Sequence, residues 1–478
     1  MQLKGIFTSQ VSYYILGRYL SYVVLFIVSL LSAKYLDTYY FGIYSFILLL
    51  VQYTTYIGHV PVYSLNTILS EKKKKKDLCE IIWTNSLLTS IVIIGLIITI
   101  LSIFLCLNAF ANYQFHHYFF FSVLIIVLAN LNGLYSNLYR VYGNLWKLLF
   151  FQLIIPCGQL FVLFFAKQQK LLSLMLLVTI MANLFALLLF LREVPLKLKL
   201  RIKRRVLSII LKRGINLLIY NISFYLIVLS SRTIVAILST PEQLGSYSLA
   251  NNLSGAVYMV VGSFAYIYYP KLINSFSVGN DSNSTILLKK LDNTYVTICY
   301  FFNFLSFICI PALVWFLPNY VDMIPNFKLL LFAQLFFNQC FGHTVLLIAR
   351  KKERRLISNA FISIVIVCVC LFFFWIFKIH CTYWAVGVLI AALYYLLSTS
   401  FSANLVLGNT VPLLSLFKSL FPWRYLIPML ISFSSIIFNA TALLMSAFVC
   451  FILLNYKYIQ QSIKIGLLYI SDKNSLSF

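Results

Sequence analysis

The chain has 478 residues, 62% of them hydrophobic and 10% charged, and carries a net charge of +26. A soluble domain is about one-quarter charged, so this composition cannot cover a water-facing surface and excludes a soluble enzyme or binding module. The charge would suggest nucleic acid in a soluble protein; here it sits between long apolar stretches, which points to a membrane instead.

Those stretches are about 20 residues long and do not alternate, so they read as transmembrane helices rather than barrel strands. In chain order the expected spans lie near 11–35, 43–68, 81–106, 118–139, 145–166, 171–191, 214–238, 246–269, 293–317, 327–349, 356–378, 382–405, 417–437 and 440–457. The first lacks a small-residue cleavage site and reads as a span, not a signal. At the end, residues 425–456 read either as two spans or as one long tilted helix. Pro61, Pro156, Pro270 and Pro311 are candidate kinks.

Two of these spans open on the same motif. Ala33 is followed nine positions later by Gly42, then by Ile43-Tyr44-Ser45; Ala236 is followed nine later by Gly245, then by Ser246-Tyr247-Ser248. Each copy lies between two apolar segments, so each marks a helix, a short polar turn and a second helix starting near the glycine. The offset is close to half the chain and reads as an internal duplication, the organisation of transporters built from repeats.

Placement of charge orients the chain. Of 37 Lys and Arg, thirty fall in alternate loops on one side, including Lys72–Lys76, the stretch from Arg192 to Arg213 and the cluster from Arg350 to Arg355. Five fall on the other side (Lys34, Lys167, Lys170, Lys328 and Lys378), and Arg18 and Arg232 lie inside spans. Positive loops stay cytoplasmic, so both termini are expected there. By this count six expected spans fall within 1–191, a basic cytoplasmic linker covers 192–213, six more spans fall within 214–405, and two further spans with a tail occupy 406–478. The linker reads first as a topological determinant touching anionic headgroups, and second as a specific regulatory or partner site.

Chemistry on bonds finds little support. The ten cysteines are scattered without Cys-x-x-Cys spacing, His116-His117 read as an interfacial pair, and the eleven acids lie almost wholly in loops. No catalytic or metal-ligating set is expected, so the chain is read as a translocator rather than an enzyme. Charges inside spans are functional candidates by default, which selects Arg18 and Arg232. The polar residues Tyr44, Gln52 and His59 on the second span, and Asn251 and Asn252 on the eighth, either knit helices together or line a wet lumen. Gly42, Tyr44, Gly245 and Tyr247 belong to the two repeat turns.

The segment from Leu20 to Glu71, with LLSAKYLDTYYFGIYSF, resembles the opening of bacterial polysaccharide transporters, the Wzx-type O-antigen and capsule flippases of the MOP exporter superfamily. Their first helix ends in a turn of the form ryLgpeeyG-x-ys. The segments TPEQLGSYSLANNLSGAVYM, YYPKL, LYRVYGNLWK and LIARKKERR resemble corresponding stretches further along. The chain departs from the pattern at Lys34, where arginine is common, and at Asp37-Thr38, where Gly-Pro is common. The resemblance implies a MATE-like all-α membrane fold: two pseudo-symmetric six-helix bundles plus two C-terminal helices. It implies flipping of an undecaprenyl-pyrophosphate-linked oligosaccharide at the bacterial plasma membrane, for O-antigen, lipopolysaccharide or capsule. It also implies coupling to an H+ or Na+ gradient without a cofactor, contact with membrane lipids, and a polysaccharide polymerase and chain-length regulator as partners, with no nucleic acid. Arginines inside spans suit a pyrophosphate. The alternatives left open are a multidrug/cation antiporter, with Asp292 as its acid, an integral-membrane polymerase or acyltransferase, and the lipid II flippase of peptidoglycan synthesis.

Overall fold

The computed structural model describes residues 10–72, 76–142, 145–165, 170–199, 201–409, 411–437 and 441–471. Lys4, Lys73–Lys75, Lys167 and Lys473 lie outside the described residues, as does the side chain of Pro270.

The described residues are helical throughout, with short turns and no strand. In chain order the helices are α1 (Gln10–Tyr35), α2 (Thr38–Gly58), α3 (Val60–Lys72), α4 (Lys76–Cys106), α5 (Phe115–Tyr142), α6 (Leu145–Phe165) and α7 (Leu171–Arg192). There follow α8 (Arg204–Leu238), α9 (Pro241–Val278), α10 (Asp281–Leu291), α11 (Thr297–Ile308), α12 (Ile310–Phe316), α13 (Ile324–Gln339) and α14 (Phe341–Ala349). The chain ends with α15 (Glu353–Ile376), α16 (Ala385–Val406), α17 (Leu413–Leu420), α18 (Trp423–Ile437) and α19 (Thr441–Ser471).

Ten described helices are long and apolar enough to cross a membrane, or twelve if each bent pair counts as one span. Of the remaining two expected spans, 246–269 lies within α9, whereas 417–437 is not one helix: it divides between the end of α17 and the 15-residue α18, with a break at Phe421-Pro422. Residues 425–456 resolve into two helices, α18 and α19, packed along each other.

Both repeat motifs begin a helix, and each start has its own cap. Asp37 sits at the N-cap of α2, where its Oδ1 accepts the Thr38 N–H at 2.8 Å. At α9 the Thr240 Oγ1 accepts the Gln243 N–H while the Gln243 Oε1 accepts the Thr240 N–H, each at 3.4 Å. That is the reciprocal arrangement in which two orphan donors are satisfied together. The second expected span is not one helix: α2 ends at His59 and α3 resumes with Pro61 in its first turn, where a missing N–H costs nothing. Pro311 does the same at the start of α12, next to a 44° bend after Ile308, whereas Pro156 lies within α6.

The chain divides into two compact units, one of Met1–Ile222 with Ser239–Gly245, the other of Ser223–Leu238 with Ser246–Phe478. In the first, α1 packs on α6, α6 and α5 pack on α7, and α2, α3 and α4 pack around α5. At its basic end, Leu65, Trp83, Leu134, Leu138 and Phe190 form a buried cluster that also takes in Leu196 and Ile210 from the basic linker.

The linker is therefore docked, not merely charged. Lys199 donates its backbone N–H to the Thr84 Oγ1 at 2.9 Å, and its ammonium meets Asp77 at 2.6 Å and Glu80 at 3.0 Å. Those two carboxylates push Lys199 above the ordinary ammonium value. The fully buried Asn85 donates to the Arg201 carbonyl at 3.0 Å and accepts the Lys203 N–H at 3.3 Å. At the end of α7, Lys147 pairs with Glu193 at 2.9 Å and holds that carboxyl below the usual range, while the Tyr139 hydroxyl donates to the Phe190 and Glu193 carbonyls. These bonds satisfy carbonyls that a helix end leaves orphaned.

Asn85→Ala leaves two linker backbone groups without their partner, at a cost of about 1–3 kcal/mol. In detergent-solubilised protein, trypsin is expected to cut after Lys199, Arg201 or Lys203 several-fold faster in this variant. Equal rates would show that the linker is held by its apolar residues alone.

In the second unit α13 and α15 pack on α16, α11 packs on α13, and the α18–α19 pair attaches through α19 to α11. One polar knot fixes that pair. Arg424 donates to the Asn293 Oδ1 at 2.6 Å with its guanidinium 3.7 Å from the Tyr458 ring centre, and Tyr425 stacks on Tyr300 at 4.3 Å. The Tyr425 hydroxyl reaches Thr297 at 2.7 Å and the Asp292 carbonyl at 3.2 Å. Residues Asp292–Val296 form a π-helical turn there, a local widening of the helix that frees backbone groups for outside partners.

Candidate functional site

The polar interior of the first unit runs across four helices. Gln159 on α6 donates to the Tyr44 hydroxyl on α2 at 3.1 Å and to Thr179 on α7 at 2.9 Å. One turn along α7, Asn183 accepts from Asn132 of α5 through both its backbone and side-chain oxygens, at 2.9 and 3.1 Å. Where α2 ends, two glycines let polar groups approach: Gly58 faces the Asn130 amide, and Gly133 faces the His59 ring. The His59 Nε2 and the Asn130 and Asn132 Oδ1 atoms are buried and lack a hydrogen-bond partner among the described residues. Buried polar atoms of this kind mark a place where water or a ligand group can be accommodated.

In the second unit, the Tyr247 hydroxyl donates to the Ser231 Oγ at 3.0 Å, next to Arg232, which is 5% exposed. The Tyr258 hydroxyl donates to Asn303 of α11 at 3.0 Å and approaches the Leu331 carbonyl of α13 at 3.4 Å. Between these two tyrosines on α9, the Ser248 Oγ and Asn251 Oδ1 are buried and lack a partner among the described residues.

The expected site residues thus fall into different settings. Arg232 is buried, whereas Arg18 is half-buried and directs its Nε to the Tyr22 hydroxyl on the same helix at 2.7 Å. Tyr44 is buried against Gln159, Tyr247 against Ser231, and both motif glycines, Gly42 and Gly245, are buried. Asn251 and Asn252 are half-buried, as is His59, while Gln52 is exposed. Tyr44, Gln159, Thr179, Asn183 and Asn132 come together as one network in the first unit; Arg232, Ser231 and Tyr247 come together in the second.

Sequence reasoning missed Lys328. Charge placement assigns it to a loop, yet it is 3% exposed on α13, with its Nζ 3.5 Å from the Ser435 carbonyl of α18. The signal was present in its neighbours, since Phe327 precedes it and Leu329-Leu330-Leu331 follow. No group of three or more metal-ligating side chains occurs among the described residues.

Comparison with known proteins agrees with this architecture. The family described as polysaccharide biosynthesis protein matches residues 7–276, more than half of the chain. Among solved structures, the lipid II flippase MurJ in an inward closed conformation is similar over 96% of this chain and 99% of its own, with a TM-score of 0.65 at 14% identity. An inward-facing multidrug resistance MATE family transporter of the MOP superfamily is similar over 82% of this chain and 96% of its own, with a TM-score of 0.64 at 9% identity. A MATE protein in complex with MaL6 is similar over 82% and 94%, with a TM-score of 0.53 at 11% identity. No curated protein matches. Identities this low speak to fold alone, whereas the family match speaks to descent. The chain belongs to the polysaccharide biosynthesis protein family and is built on the fold of the MOP-superfamily transporters.

Proposed function

We propose that this protein is a flippase that carries undecaprenyl-pyrophosphate-linked oligosaccharide repeat units from the cytoplasmic to the outer leaflet of the bacterial plasma membrane by alternating access, with both termini cytoplasmic. The observation that carries the reading is Arg232, a buried arginine beside a Ser–Tyr pair in a chain of the polysaccharide biosynthesis family. Crossing hydrocarbon unaided costs a sugar–diphosphate head the desolvation of every hydroxyl and charge. An arginine offers a diphosphate a fixed fork of donors, and the partly unsatisfied Ser248 and Asn251 oxygens suit sugar hydroxyls. An H+ or Na+ gradient is the proposed source of work. A polymerase and a chain-length regulator are the proposed partners, because a repeat unit delivered outside must next be joined to others.

A multidrug/cation antiporter would rest on Asp292. Arg424 donates to the adjacent Asn293 at 2.6 Å, which sets a guanidinium beside that position, so a cationic drug would be repelled there. This favours the flippase reading.

Expressed in a strain that lacks its own O-antigen flippase, the protein is expected to restore long-chain surface polysaccharide without changing drug resistance. Raised resistance with no polysaccharide would favour the antiporter.

A further inference from the structure

Residues Ser239–Gly245 belong to the first unit, although the chain from Ser223 to Leu238 and from Ser246 onward belongs to the second. This turn is seated on the start of α2 by the two glycines that hold the same place in the repeated motif. A Cβ built on Gly42 would run into the Pro241 carbonyl oxygen. One built on Gly245 would stand 2.8 Å from the Thr38 carbonyl oxygen and 3.0 Å from the Gly42 nitrogen. Thr38 lies one helical turn before Gly42, and Pro241 lies one helical turn before Gly245. Each glycine therefore meets the carbonyl one turn upstream of the other, so the contact has a local twofold symmetry. With hydrogens in place of both Cβ atoms, the approach is that of paired Cα–H···O contacts at a close helix crossing.

We propose that this glycine pair is a latch of the transport cycle, closed in this structure and released when the Ser239–Gly245 turn lifts from α2. The proposal rests on the transport reading above. Both turns are pre-shaped by their own caps, Asp37 on one side and Thr240 with Gln243 on the other. The joint can thus form and part without refolding either helix start. Contacts of this type are individually weak and fall off steeply with distance, which suits a joint that is either shut or open. Any side chain at Gly42 excludes the shut state.

The test uses the full-length protein in membranes, with the exposed cysteines Cys106, Cys157, Cys309 and Cys368 replaced by serine. Leu244, fully buried in the turn, is changed to Cys as a reporter of maleimide labelling. Labelling is expected to be slow with Gly42 present, about tenfold faster with Gly42→Ala, and unchanged with Gly95→Ala, where a Cβ meets nothing within 4 Å. Gly42→Ala is also expected to cut polysaccharide restoration while the protein remains monodisperse and at normal abundance. Labelling that stays slow in monodisperse Gly42→Ala protein overturns the latch, as does faster labelling with full restoration. Failure of the unsubstituted protein to restore polysaccharide counts against the transport reading instead, and leaves the labelling result standing on its own.

Discussion

Arg232→Ala is expected to lower surface polysaccharide about ten- to a hundredfold while the protein still inserts and accumulates normally. The magnitude follows from the loss of one charge-assisted interaction, about 1.5–3 kcal/mol, with tenfold per 1.4 kcal/mol. Arg232→Lys keeps the charge but not the planar fork and should retain part of the activity. Arg18→Ala should cost less, because Arg18 is half-buried and bonded to Tyr22 on its own helix. The measurement is polysaccharide length and amount against membrane abundance of each variant. Normal polymer in a well-expressed Arg232→Ala strain would remove this residue from the mechanism.

Lys328→Met is expected to stabilise the protein by about 1–3 kcal/mol, the penalty of a buried polar group that is poorly hydrogen-bonded. The lysine is 3% exposed and its Nζ has a carbonyl at 3.5 Å, a long contact for a group whose desolvation is expensive. Methionine keeps the length and packing of the stem without the charge. Thermal unfolding in detergent, followed by loss of monodisperse protein, should show a higher midpoint for the variant. A lower midpoint would mean that the lysine is compensated by its surroundings and holds α13 to α18.

Much of this architecture could be read from hydropathy because every span must satisfy its backbone internally and present about 20 apolar residues to lipid. The repeat motif put two helix starts near Gly42 and Gly245; the helices begin four residues earlier, at Thr38 and Pro241, because each turn carries a cap just before that point. Even the departure from the family pattern at Asp37 has a structural use, since that carboxylate caps α2. The break at His59 was harder to see. Pro61 announces a kink, but only the packing of Gly58 on Asn130 and of Gly133 on His59 shows what the break accommodates.

Hydropathy alone starts the apolar run at 327, which leaves Lys328 at the rim of a span. The 3-10 turn Pro318–Met323 extends the candidate span to Pro318–Ala349 and carries the lysine well inside it. Likewise the linker's charges suggested only a surface role. Its anchoring depends on Leu196, Ile210 and Asn85, residues whose partners lie more than one hundred positions away or in a cluster that no local pattern reveals.

The central claim is that this protein moves a lipid-linked sugar across a bilayer. The most direct measurement places the purified protein in liposomes loaded on one leaflet with a fluorescent undecaprenyl-pyrophosphate oligosaccharide, under an imposed H+ or Na+ gradient. The account predicts that the labelled head becomes reachable by a membrane-impermeant quencher on the opposite side, faster with the unsubstituted protein than with Arg232→Ala. Head groups that stay on the loaded leaflet at the rate of protein-free liposomes, with folded protein present under both gradients, would contradict it.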